Sequence, residues 1–290
     1  MNEFITALTN PDVAFIRYAF LAGLLSSIPF GIIGSFVVVK RMTYIAGAVS
    51  HTSLGGIGLA LYLSTVMSIS SISPMGGAVI FALISALIIS LAITKTNARL
   101  DTVIGSIWAI GMSLGLIFIY LTPGYIDPMS YLFGNILLIS RDNLITILTL
   151  SSVITLFSLL FFNQFISTSF DSDFARTRNI NTTFYETFLI ILVALTVILM
   201  INIVGIVMVI ALLTLPPAIS ALYTKRMKSM MLVSILVCAL ITSSGLYLSY
   251  IFTVPTGSTT VILGGVIYVT MLLSNKTVNT LQRLYQRKTA

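Results

Sequence analysis

Residues 42–94 read MTYIAGAVSHTSLGGIGLALYLSTVMSISSISPMGGAVIFALISALIISLAIT, 53 residues without an Asp, Glu, Lys or Arg. A helix needs about 20 apolar residues to cross the hydrocarbon core of a bilayer. The stretch therefore holds two spans, divided near the polar, proline-bearing residues 64–74. Within the first of them lies His51, the only histidine in the chain. An imidazole in hydrocarbon is costly, and ionisable groups inside a membrane usually face a bundle interior and often mark a substrate path. Neutral imidazole is also the commonest ligand of transition metals.

The remaining charge-free runs extend this reading to the whole chain. It is 57% hydrophobic and 8% charged, with a mean hydropathy of +1.07, whereas soluble domains carry about 25% charged residues. Residues 18–39, 102–126 and 143–170 hold one span each. Residues 187–224 hold barely two, and residues 229–275 hold two. The expectation is an all-α polytopic membrane protein of 8–9 transmembrane helices, with residues 1–290 as a single membrane domain. The count turns on 187–224, where Asn202 and Gly205 would form an outer turn and Pro216-Pro217 would break the second helix. Residues 128–140 are too short to span and suggest an interfacial or re-entrant helix, with Tyr131 and Phe133 as a gate or an anchor.

The basic residues orient the spans. With the N-terminus outside, Lys40, Arg41, Lys95, Arg99, Arg176, Arg178, Lys225, Arg226, Lys228 and the tail's Lys276, Arg283, Arg287 and Lys288 all fall inside. That is 13 of the 15 basic residues, leaving Arg17 and Arg141 outside, as the positive-inside rule requires. Ser70 and Gly257 then mark outer loops. The net charge of +7 is accounted for by inner loops facing anionic lipid or a cytoplasmic partner, without nucleic acid. Glu3 and Asp12 precede the first apolar run, unlike the basic start of a cleaved signal peptide. The lone Cys238 has no partner for an intrachain disulfide and reads as a small core residue.

Around the histidine, Gly47, His51, Gly55 and Gly58 share one helical face at steps of four, four and three. With Ser50 beside them they form the candidate pathway group. Such a stripe suits both plain helix packing and a narrow pathway wall. The inner loop 167–183 reads either as an ordinary polar loop or as a short helix that docks into a partner, capped by Ser172 or Asp173 and running to about Arg178. Asn179 suits a left-handed stop, with Ile180 as its apolar contact. Asp101 and Glu186 sit near span ends, where a cap or an interfacial role is expected. No phosphate-binding loop of the form G-x-x-x-x-G-K-[ST] occurs, so the chain has no visible means of hydrolysing ATP. No acid lies deep in a span, which disfavours a proton- or sodium-coupled carrier. No nucleophile–His–acid set can be assembled around the single histidine.

Five blocks, in order, resemble the permeases of zinc and manganese ABC transporters. They are GSFVVVKRMTYIAGAVSHTSLGGIGLAL (34–61), LDTVIGSIWAIGMSLGL (100–116), IDPMSYLFGNILLISRDNL (126–144), IVGIVMVIALLTLPPAISA (203–221) and VPTGSTTVIL (254–263). The resemblance runs from about Phe20 to Leu273. It implies an ABC importer permease fold in a bacterial cytoplasmic membrane. It also implies a second permease copy, cytoplasmic ATPase subunits, and an extracytoplasmic metal-binding protein that delivers a divalent metal: zinc, manganese or iron. No cofactor is bound permanently, since the metal is cargo, and the chain itself is not an enzyme. Asp173, Ala175, Arg176, Arg178 and Asn179 fall in the family's ATPase-coupling helix, with Asn179 where glycine is usual.

Two positions depart from the family pattern. Gly47 stands where an Asp is common, four residues before the histidine, and Ala109 stands where zinc-type members can carry a further His. One imidazole is a weak site, because zinc takes three or four protein ligands. Either two His51 side chains meet at a homodimer axis, or a different permease subunit supplies the carboxylate in a heterodimer, or the cargo is another metal. A partner subunit that binds no metal, and a secondary carrier, are the competing functions.

Overall fold

A computed structural model describes residues 14–69, 72–95, 99–124, 128–134 and 139–289. Glu3, Asp12 and Ser70, read above at the N-terminus and in an outer loop, lie outside the described residues, as do the side chains of the basic tail from Lys276 onward. Among the described residues eleven helices run α1 Ala14–Val39, α2 Thr43–Thr65, α3 Pro74–Lys95, α4 Leu100–Leu121, α5 Pro128–Phe133, α6 Arg141–Leu160, α7 Phe162–Phe170, α8 Ser172–Thr177, α9 Thr182–Ala221, α10 Met227–Phe252 and α11 Thr256–Thr289. Among the described residues no strand occurs, and nine helical segments are long and apolar enough to cross a membrane. The all-α expectation holds, at the upper end of the span count.

Two of the nine come from α9, which bends at Gly205 (φ 81°, ψ 164°) into Thr182–Ile201 and Val204–Ala221. That φ lies in the region open mainly to glycine. Gly205 also packs its backbone against Leu132, Phe133 and Gly134, leaving no room for a Cβ. The short α5 is thus tucked against the α9 bend and, through the Phe133 carbonyl, against Gly257 at the start of α11. Pro216 and Pro217 do not break the second half, contrary to the expectation from sequence, because α9 continues through them to Ala221. Pro217 deprives the Leu213 carbonyl of its helical donor. That carbonyl faces Gly34 of α1, 2.5 Å from where a Cβ would stand. The close approach of a glycine backbone accommodates it, as neighbouring helices do for membrane prolines.

The helices form two groups bridged by α9. One group packs α2 between α3 and α4, and the other packs α1, α10, α11 and α6. In the first group the contacts are made by small residues, which let backbones approach closely where lipid offers no hydrophobic driving force. Gly56 of α2 meets Gly77 of α3 backbone to backbone. An aromatic cluster of Phe36, Phe161, Phe165, Tyr185 and Phe188 fixes the break between α6 and α7. Residues 143–170 are therefore one span followed by a short helix.

Polar and charged contacts gather at one end of the bundle. There the Lys40 ammonium bonds the Glu186 carboxylate at 3.0 Å, Lys228 lies over the Phe162 ring, and the Asn275 amide donates to the Leu222 carbonyl. At the other end α5, Gly205 and Gly257 meet. Asp101 lies in the first turn of α4, where it complements the helix dipole, while the N-cap position belongs to Arg99.

Candidate functional site

Residues 45–58 of α2 are buried at every position except His51, which is half-exposed. The hydroxyls around it are committed to the backbone. Ser50 donates to Ala46 at 2.7 Å, Ser53 to Val49 at 2.8 Å, and Thr52 to Ala48 at 2.7 Å. Ser50, beside His51, is fully buried and gives its proton to its own helix. The Nδ1 of His51 is buried and has no hydrogen-bond partner. An unpaired buried polar atom costs roughly 1–3 kcal/mol.

Against the His51 ring lies Trp108 of α4, the only tryptophan in the chain. The two rings stack with centroids 4.6 Å apart and planes 20° apart. The same indole covers Gly47, where a Cβ would stand 2.5 Å from the Trp108 six-membered ring. Gly55 and Gly58 complete the stripe as packing positions: a Cβ at Gly55 would lie 2.8 Å from the Gly111 carbonyl, and one at Gly58 2.5 Å from that of Gly115. Thr52 adds a long bond to the Ile107 carbonyl at 3.3 Å. The glycine face thus turns toward α4 of the same chain, and only His51 on it reaches a partly open edge. Ala109 is exposed on α4. Among the described residues no three His, Cys, Asp or Glu side chains converge as a metal cage.

Beyond this edge α4 presents an exposed face of small side chains, Thr102, Gly105, Ser106, Ala109 and Ser113. Sequence reasoning singled out Ala109 there but missed Trp108, although a lone tryptophan seven residues past a helix-starting aspartate was available as a signal.

The second site is the short α8. Its cap is Asp171, whose carboxylate accepts from the Phe174 amide at 2.9 Å, rather than the expected Ser172 or Asp173. The reason is register: the Asp171 backbone is extended, and Ser172 already belongs to the helix. The helix ends as expected at Asn179, with φ 62°. The Ile180 amide reaches the Ala175 carbonyl at 3.1 Å and the Asn179 amide reaches Arg176 at 3.0 Å, the paired bonds of a Schellman stop. Ala175 is buried, while Phe174 is 52% exposed. Arg176 contacts Asp173 at 3.8 Å and donates from Nε to Thr182 at 3.1 Å. Arg178 lies over the Phe174 ring. Phe170 and Phe184 are also exposed nearby. These phenylalanines were not foreseen, because an apolar residue in a membrane chain carries no distinguishing signal.

A profile of the ABC 3 transport family matches residues 12–275. The chain belongs to the ABC 3 transport family. This permease is 32% identical over 261 residues to a probable metal transport system membrane protein of Chlamydia pneumoniae, covering 90% of this chain and 89% of that one. It is 30% identical over 256 residues to the manganese transport system membrane protein MntC of Listeria monocytogenes, covering 88% and 89%. Among solved structures it superposes on PsaBC from Streptococcus pneumoniae in complex with Fab, with a TM-score of 0.81 at 28% identity over 93% of this chain and 94% of that one. The ABC permease fold and the multi-pass membrane location expected from the sequence therefore stand.

Proposed function

We propose that this chain is the permease subunit of an ATP-driven importer for a divalent transition metal, manganese or zinc, with His51 contributing to the translocation pathway. The observation that carries the pathway role is His51 itself. It is the one residue of 45–58 left partly open, and its buried Nδ1 is unpartnered. The relatives named for manganese or metal transport support the cargo class.

One imidazole binds metal weakly, and a conduit must release what it binds. The exposed small-residue face of α4 beside Trp108 suits a second copy of the chain, since small residues let membrane helices approach closely. Such a copy would bring a second imidazole toward the first. The opposite end of the bundle suits an ATPase. The exposed Phe174, with Arg178 lying over its ring, forms an apolar knob on α8, a helix stiffened by a cap at each end. Its motion would pass through Thr182 and Glu186 at the start of α9 to Lys40. Lys40 precedes the turn into α2, the helix that bears His51. ATP hydrolysis on partner chains would drive alternating access along this route.

The test is reconstitution of the full chain with its ATPase and binding protein, measuring ATP hydrolysis and radioactive metal uptake with manganese, zinc and iron(II). Metal-stimulated hydrolysis with matching uptake is expected. Uptake that persists without ATP would overturn the proposal in favour of a secondary carrier. A second reading, a heterodimer whose other permease carries the carboxylate, is favoured by one observation: a side chain at position 47 would meet the Trp108 ring and require it to shift. A mixed dimer recovered from native membranes would select it.

A further inference from the structure

The single tryptophan and the single histidine of this chain are stacked on each other. The same indole also fills the notch over Gly47. These are two consequences of one placement. The backbones of α2 and α4 are held together by Gly55 against Gly111 and by Gly58 against Gly115, which sets the helix spacing at which the indole sits over Gly47. With Trp108 in place, position 47 admits no side chain without displacing the ring. One face of the imidazole is covered as well, which fixes its plane. Metal bonding to imidazole runs in that plane, along a nitrogen lone pair, so a stacked neighbour orients the ligand without competing for it. The indole N–H is a donor only and adds no metal ligand of its own.

We propose that Trp108 is the positioning and specificity residue of the pathway: it holds His51 in one ring orientation and keeps carboxylate oxygen out of the turn below it. This rests on the reading of His51 as a pathway ligand. The consequence for cargo follows from ligand chemistry. Carboxylate oxygen suits manganese, magnesium and calcium, whereas imidazole suits zinc, copper, iron and nickel. With one imidazole and no acid, this protomer favours imidazole-seeking ions relative to a protomer with a carboxylate at position 47. Groups that tune a ligand's orientation are typically worth about 10–100-fold in metal affinity.

The experiment uses the full chain in lipid nanodiscs, with manganese and zinc binding measured by equilibrium dialysis and Trp108 emission as an internal probe. Trp108→Ala is expected to weaken zinc binding by about tenfold, and Trp108→Phe, which keeps a stacking ring, is expected to retain it. Gly47→Asp alone should gain no manganese affinity. Gly47→Asp combined with Trp108→Ala should gain it and shift the manganese-to-zinc ratio. Gly47→Ala should lower the melting temperature in the native background and leave it unchanged in the Trp108→Ala background, a comparison that remains readable if the aspartate variants fail to assemble. Equal manganese gain by Gly47→Asp with and without Trp108, or melting shifts that simply add, would overturn the proposal. So would zinc affinity indifferent to Trp108→Ala. The underlying reading has a separate readout. Manganese should quench Trp108 emission in the native chain and not in His51→Asn, and absence of quenching in the native chain sinks the His51 ligand role while the melting comparison still reports on the notch.

Discussion

At the residue scale, the decisive fact is that the half-exposed imidazole has no hydrogen-bond partner for its buried nitrogen. A packing histidine would ordinarily satisfy that atom, since unpaired buried polar groups are rare. His51→Asn or His51→Gln offers an amide of comparable polarity but a poor transition-metal ligand. Uptake of radioactive manganese or zinc, in a strain lacking other importers, should fall to background for both variants with membrane insertion retained. Full uptake by either would make His51 a packing residue. Gly47→Asp, which the helical spacing alone offers as an added ligand one turn from His51, meets the Trp108 ring instead. Its first effect is predicted on assembly and not on metal preference.

At the scale of elements, α8 is a short helix whose two ends are both determined by side-chain identity. Asn179 holds the left-handed position, which costs an ordinary L-residue about 1–2 kcal/mol. Asn179→Gly should therefore leave transport intact. Asn179→Val, β-branched at positive φ, should loosen the stop and reduce metal-stimulated ATP hydrolysis in the reconstituted complex while uncoupled hydrolysis persists or rises. For docking, the exposed Phe174 ring is the stronger candidate, because Arg176 is already engaged by Asp173 and Thr182. Phe174→Ala should weaken co-purification of the ATPase, and a double charge reversal at Arg176 and Arg178 should uncouple hydrolysis from uptake. Unchanged ATPase recovery with Phe174→Ala would move the interface elsewhere on the inner face. The Lys40–Glu186 bond joins the start of α9 to the turn before α2, with side chains only 14% and 22% exposed. Removing one partner leaves the other charge half-buried. Lys40→Glu should impair transport, and adding Glu186→Lys should restore part of it.

At the scale of the whole molecule, the two ends of the bundle are distinguished by contacts as well as by charge. The end with Lys40, Glu186, Lys228 and α8 carries the basic loops, and the end with α5, Gly205 and Gly257 does not. Cysteine labelling tests the orientation cleanly, because native Cys238 is buried and should stay silent. Gly257 is a poor position for the probe, since its backbone touches the Phe133 carbonyl, and the exposed Val254 serves instead. Val254→Cys should react with a membrane-impermeant reagent added from outside. Thr177→Cys, next to the exposed α8 surface, should react only after the inner face is opened. Reversal of the two would invert the topology.

How much of this was legible in the sequence follows from the range of each force. Spans and the all-α class were set by runs of apolar residues. Transfer into the bilayer acts on each segment separately, so composition alone decides it. The left-handed stop at Asn179 was readable for the same reason, being a local backbone preference. The bend of α9 was flagged by Gly205, but the persistence of its helix through Pro216 and Pro217 was not, because the Leu213 carbonyl freed by Pro217 is accommodated by Gly34, 179 residues away in the chain. The cap of α8 shifted by one residue for want of a backbone angle. The glycine stripe left packing and pathway open from spacing alone. Only the tertiary structure turned Gly55 and Gly58 toward Gly111 and Gly115, laid Trp108 over Gly47 and left the His51 edge partly open. Those outcomes depend on which helix lies beside which, and at what distance. That is a property of side-chain volumes summed over neighbours far apart in sequence, which no local pattern encodes.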